Sequence, residues 1–397
     1  MTEQQTTLPF FTLLLLISFA SVNAVMFTPA LPDIANYFDI SHDSAQLTIS
    51  WFLIGYAAGQ LVYGPLANRF GRKPAIYAGI CLQIISSLIC VLSGVFHEYS
   101  LLVVGRLLLA LGSGVGLKMT FTLVNECYAP RPASKLISYL ILAFAITPGL
   151  AAAIGGVLTQ HLGWTSCFYA GAIYGLILLG LSRKLPETQL TPDYNALKWS
   201  HLIHAYGVKF KNTRLVTSAM MMSTSTCFVY TFAAIAPFVA INLLGMSSSD
   251  YGFANIIPAI GLIIGSLTSA KLTDRFEYLT LIFAGTVLAT IGVVIMLIAV
   301  CLHASAIHSI FIPMMIIYLG LAAVLPNASA IAMGAVQDKA HGSAVMNFIN
   351  MGLATVVVMG LGFLPMSPYL MPILYLILCA VMFTFYKLTQ RTPETIS

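Results

Sequence analysis

Arg106 and Lys118 share one apolar stretch, Leu101–Thr122, in a chain of 397 residues of which only 8% are charged. An ion inside a membrane is costly, so an intramembrane Arg or Lys is read first as functional. An arginine keeps its charge and carries five donors in a fixed fork, which suits a hydrogen-bond network. A lysine offers a compact ammonium that attracts an anion or, when buried, gives up its proton. Their separation of twelve positions means about 18 Å of rise and about 120° of rotation, so they share neither depth nor face. Lys118 has two readings. It snorkels to inner headgroups about 10 Å away, a strain for its side chain, or it faces a central path and attracts an anionic substrate.

The acids are distributed in the opposite way. None of the 13 Asp and Glu sits deep in an apolar stretch: Asp33 is at an outer end, Glu126 at an inner end, and Glu187 and Asp274 are in loops. A cationic ligand therefore finds no fixed midplane anion, and the proton site stays open between Asp33 and Glu126. Uncharged polar residues on the stretches include Asn23, Ser225, Thr226, Tyr230, Asn255, Tyr318, Asn327, Asn347 and Asn350. Each is either a helix–helix clamp or a ligand contact. Met220–Met222, Phe228 and Phe232 suit packing or adaptable apolar binding. The seven Cys form no CxxC and the eight His show no ligand spacing, so no metal site is expected.

The elements carrying these residues are twelve apolar stretches, from Leu8–Ala30 and Ser44–Leu66 through Ser134–Leu158 to Gly342–Leu364 and Tyr369–Leu388. Each is about the 20 residues that cross a bilayer as a helix, too long for strands of about 10. With 59% hydrophobic residues and a mean hydropathy of +0.91, lipid is the expected solvent. Of the 18 Lys and Arg, 16 fall on the side where even-numbered stretches exit. The opposite loops carry Asp33, Asp39, Asp43 and Asp250. The positive-inside rule makes the basic side cytoplasmic and places both termini there. The net +5 is then a topology signal rather than a nucleic-acid signal. Trp51 and Trp164 fall where indole favours headgroups. Leu13–Ala24 could pass for a cleavable secretory signal, but Glu3 and the lack of a basic leader argue against it.

A polar stretch, Pro186–Arg214, splits the chain into a bundle over 1–186, a linker over 187–214 and a second bundle over 215–397. Within the linker, Asn195–Phe210 places Leu197, Leu202, Tyr206 and Phe210 on one face, as in a helix lying on a membrane. The bundles echo each other: Asn68-Arg69 corresponds to Asp274-Arg275, and Pro29 to Pro237. Six-helix halves around a midplane path are a transporter architecture. No nucleotide-binding loop appears, nor a Ser–His pair or metal cluster that would support an intramembrane enzyme or sensor.

The segment Gly64-Pro65-Leu66-Ala67-Asn68-Arg69-Phe70-Gly71-Arg72-Lys73-Pro74 resembles the loop motif of the major facilitator superfamily. Arg106, Pro148 with Gly155-Gly156, and Leu185-Pro186-Glu187-Thr188 agree with it. Pro29–Ala35, Ala236–Val239 and Leu325–Ala328 resemble twelve-helix drug:proton antiporters, nearest the Bcr/CflA and EmrD-like branch. The resemblance implies an all-α membrane protein of two six-helix bundles that exports a small organic compound by alternating access. It implies a proton gradient as energy source, no cofactor, a bacterial-type inner membrane and a monomer. An anionic metabolite, such as a carboxylate siderophore, is the alternative cargo that Lys118 suggests.

In the family an Asp stands where this chain has Asn68, and it latches the two halves. Asn68 accepts hydrogen bonds but brings no charge, so a weaker latch is expected. Arg69, Arg72 and Lys73 are expected to reach acids and helix ends across the interface between halves. Gly64 permits close approach and Gly71 belongs to the same loop motif, while Pro148 is expected to kink the fifth stretch and Gly149, Gly155 and Gly156 to thin its packing face. Leu109 stands where the family often has a polar residue, which thins the network around Arg106.

Overall fold

In a computed structural model, residues 8–128, 130–189, 193–194, 207–337 and 339–392 are described. They form helices and turns, with no strand among them. Twelve helical spans follow in order. Span 1 is Phe10–Tyr37, span 2 His42–Phe70, span 3 Arg72–Phe96, span 4 Tyr99–Cys127, span 5 Pro130–Leu162 and span 6 Ser166–Ser182. Span 7 is Thr213–Leu243, span 8 Ser248–Leu272, span 9 Tyr278–Cys301, span 10 Ile307–Gly334, span 11 Lys339–Leu361 and span 12 Leu370–Arg391. Spans 2 and 5 extend several residues past the apolar stretches in the sequence, because capping and turn chemistry, not hydropathy, ends a helix.

Ser41 accepts from the Ser44 amide at 3.2 Å to open span 2, and Asn212 accepts from Leu215 at 2.9 Å to open span 7. Gly71, at φ 108°, closes span 2 and lets span 3 start one residue later. Several spans are not continuous. Span 1 stops being α-helical at Val25, turns through Thr28–Ala30 and resumes as Leu31–Tyr37. Span 4 breaks at Gly114 and span 8 at Asn255. Span 5 runs as one helix through Pro148.

Between halves, span 2 packs on span 11 and span 5 on span 8. Small residues make this possible: a Cβ on Gly252 would meet the Ala152 carbonyl at 2.6 Å and the Gly156 Cα at 3.2 Å. Such small-residue seams are how membrane helices approach closely. The surface-helix expectation over Asn195–Phe210 lies largely outside the described residues; its last four, 207–210, are helical. Phe210 meets Phe348 of span 11 edge to face at 6.2 Å. Trp164, which its sequence position places near an outer helix end, packs against protein. It is buried between Tyr37, Phe38 and Phe168.

Candidate functional site

Arg106 is 1% exposed and has no carboxylate partner among the described residues. Its Nη1 donates to the Asn23 carbonyl at 2.7 Å and its Nε to the Thr48 carbonyl at 3.3 Å. Its guanidinium lies between the Phe27 ring at 3.7 Å and the Phe52 ring at 4.4 Å. Cation–π contact and main-chain dipoles thus replace a counter-ion. Asn23 is fixed in turn: its Nδ2 donates to Phe19 at 2.7 Å and its Oδ1 accepts from Gln83 at 2.9 Å. Gln83 also donates to Ser87 and to the Gly171 carbonyl, both at 3.0 Å. One network therefore ties spans 1, 2, 3, 4 and 6 together, and it runs through Gln83 despite Leu109. Tyr230 of span 7 lies within electrostatic reach of Arg106 and of Tyr56.

At the basic end the loop residues close on their own half. Arg72 pairs with Glu126 at 2.7 Å and donates to Asn68 Oδ1 at 2.6 Å. The Thr188 hydroxyl bonds Glu126 as well. Glu187 accepts from the Arg72 and Lys73 amides, each at 2.9 Å, capping span 3. Lys73 Nζ donates to the Arg183 carbonyl at 2.8 Å, at the end of span 6. Arg69 lies over the Tyr194 ring at 4.0 Å. A Cβ on Gly71 would meet Glu187 Oε2 at 2.6 Å. Partial burial raises the Glu187 pKa, but amide hydrogen bonds from Gln189, Arg72, Lys73 and Thr188 outweigh it and hold the carboxyl below its ordinary range.

One expectation changes here. The described partners of Arg72 and Lys73 lie within the first half, not across the interface. Glu126 pairs with Arg72 and Thr188. Asp274 and Arg275, the counterparts in the second half, sit in an exposed turn without an ion pair to a described residue.

Lys118 reaches inward along span 2. Its Nζ donates to the Gln60 carbonyl at 3.0 Å and lies 2.6 Å from where a Cβ on Gly64 would stand. It does not extend along its own helix toward headgroups. Gln60 and Gln83 were absent from the sequence-derived candidates, although an amide inside an apolar span is the signal that could have found them.

The remaining candidates fall into separate places. Asn255 donates to the Tyr251 carbonyl at 2.7 Å and bridges the break in span 8. Asn327 ties span 10 to span 8 through Ser269 at 3.1 Å. Asn347 bonds Ser343 on its own helix at 3.3 Å. Tyr318 packs edge to face on Phe232 at 6.3 Å. Asp33 opens the short helix Leu31–Tyr37.

Across the halves, Gly149 faces Ala259 and Asn255, and Gly156 faces Ser248 and Gly252. The Ser249 amide donates to Gln160 at 3.0 Å, and His42 packs on Phe238 at 4.6 Å. Gly155 instead makes room for the Met26 carbonyl at the break of span 1.

The profile of the Major Facilitator Superfamily matches residues 13–358. The chain belongs to that superfamily. It is a secondary transporter and not an enzyme. Among its superfamily relatives, the Multidrug resistance protein D of Escherichia coli K12 is 24% identical over 322 residues, covering 81% of this chain and 79% of that one. A Chloramphenicol resistance protein of Pseudomonas aeruginosa is 27% identical over 319 residues, covering 78% and 73%. In fold, a D-xylose-proton symporter superposes with a TM-score of 0.79 at 16% identity over 97% of each chain. The inward-open xylose transporter XylE of E. coli superposes at 0.75 and 15% identity, over 98% of this chain and 97% of that one.

Proposed function

We propose that this superfamily member exports a small, drug-like organic compound by proton antiport, with the basic loops and both termini on the cytoplasmic side of a bacterial inner membrane. One observation carries the reading. The halves meet through spans 5 and 8 at the end opposite the basic loops, while the basic loop between spans 2 and 3 is clasped inside one half. A transporter resting this way is closed on one face and ready to exchange that contact for one on the other. The charge asymmetry orients it: 16 of 18 Lys and Arg lie on the clasped side. The resistance proteins among its relatives support the cargo class. Both halves lie in a single chain, which supports a monomer as the working unit.

Reconstitution into liposomes with an imposed pH gradient tests the proposal. Chloramphenicol, ethidium and citrate serve as neutral, cationic and anionic probes. Gradient-dependent movement of at least one probe, abolished by a protonophore, is the expected result. Movement equal to that in empty liposomes for every probe overturns the reading.

A further inference from the structure

The Lys118 ammonium has one described partner, the Gln60 carbonyl at 3.0 Å, which leaves two of its three protons free of described acceptors. No carboxylate among the described residues pairs with it, and an ionised neighbour within its reach is another cation, Arg72. Lys118 is half-buried, and a lysine withdrawn from water usually pairs with an anion. On the same residue that receives Lys118, the Gln60 side chain is 3% exposed, and its Nε2 makes no hydrogen bond of good geometry to a described residue. The Tyr56 hydroxyl sits against that amide one turn along. Gly64 follows one turn the other way, and its missing side chain makes room for the ammonium. Tyr56, Gln60 and Gly64 thus form an i, i+4, i+8 stripe on span 2, with the lysine against its lower end. A buried donor without a well-placed acceptor, beside an ammonium with protons to spare, marks the place of a missing hydrogen-bond acceptor.

We propose that the Lys118–Gln60 turn is the docking point for an acidic group, a carboxylate, on the exported compound. The ammonium supplies charge and the amide supplies a directed N–H, so together they favour an acceptor that carries a full negative charge. Gln83 makes a useful contrast: its Nε2 is spent on Asn23, Ser87 and Gly171 within the fold. The Gln60 amide is held out of that network. The proposal rests on the export reading for its consequence, transport of an acid, but the site is tested by binding alone.

The test measures thermal unfolding of the full chain in detergent with benzoate, succinate and citrate. Chloride and sulfate at matched ionic strength are the controls. At least one carboxylate is expected to raise the wild-type Tm in a saturable way. Its apparent affinity is expected to fall about tenfold or more in Lys118→Met, and by less in Lys118→Arg and Gln60→Leu. Should Lys118→Met fail to fold, Lys118→Arg and Gln60→Leu decide the matter, each weakening binding about threefold or more. No shift by any carboxylate, an equal shift by chloride or sulfate, or unchanged affinity in the folded variants overturns the proposal. Chloramphenicol export by wild-type liposomes without carboxylate binding leaves the export reading standing and removes this site. Carboxylate binding with no transport of any probe does the reverse.

Discussion

Arg106 Nη1 bonds the main-chain carbonyl of Asn23, 2.7 Å away, at the point where span 1 ceases to be an α-helix. The last α-helical bond there runs from Met26 to Val22 at 3.0 Å, so Asn23 presents one of the carbonyls that a helix end leaves without a main-chain partner. A guanidinium at that end satisfies it and complements the helix dipole. The turn it holds, Thr28–Ala30, packs on spans 7 and 8 of the other half. In the export cycle proposed above, Arg106 would act as a positioning residue for the end where this turn meets the other half.

Arg106→Gln keeps a donor but loses the charge and the fork that reaches both carbonyls. Loss of one charge-assisted hydrogen bond is worth about 1.5–3 kcal/mol. A lowered Tm and a fall in transport of about tenfold or more are expected, with Arg106→Lys between the two. Wild-type transport in Arg106→Gln, measured in liposomes, contradicts the positioning role.

The seam between Gly156 and Gly252 leaves no room for a side chain. Gly252→Val should wedge spans 5 and 8 apart and shift the population toward opening on that face. Cysteines placed at Thr28 and Ser248 then become more reactive to an impermeant maleimide. Unchanged labelling rates at both positions disprove the seam as the closure.

Glu187 provides a pH test with a definite sign. Its carboxyl is depressed below the ordinary value of 4.5, so its stabilisation is fully present above that value and is lost as pH falls through the folded one. The stability gap between wild type and Glu187→Gln should stay constant from pH 8 to 5 and shrink in stronger acid. Thermal melts across that range check it, and a gap that changes near neutrality contradicts the assignment.

Arg72 and Glu126 form a partly exposed pair, with side chains 10% and 32% accessible. Screening keeps their worth near about 1 kcal/mol. A double-mutant cycle with Arg72→Gln and Glu126→Gln should give a coupling of that order. Absence of coupling would show that Thr188 and Asn68, not the ion pair, hold the loop.

Much of this was legible in the chain itself. Apolar stretches of bilayer length dictate the spans, because lipid permits few backbone solutions, and basic residues confined to alternate loops carry the expected orientation. The cost of burying charge singled out Arg106 and Lys118 before any geometry was known. Hydropathy has no record of partners, however. The carbonyls of Asn23 and Gln60 are main-chain atoms that every residue possesses, so no residue type announces them as the acceptors for Arg106 and Lys118. The commitment of Glu126 to Arg72, and of Gly155 to the Met26 carbonyl, depends on how helices far apart in sequence are brought alongside one another. Residue types settled which groups a membrane would make expensive; only tertiary packing decided which neighbour relieves each of them, and that the Gln60 amide makes no well-formed hydrogen bond among the described residues.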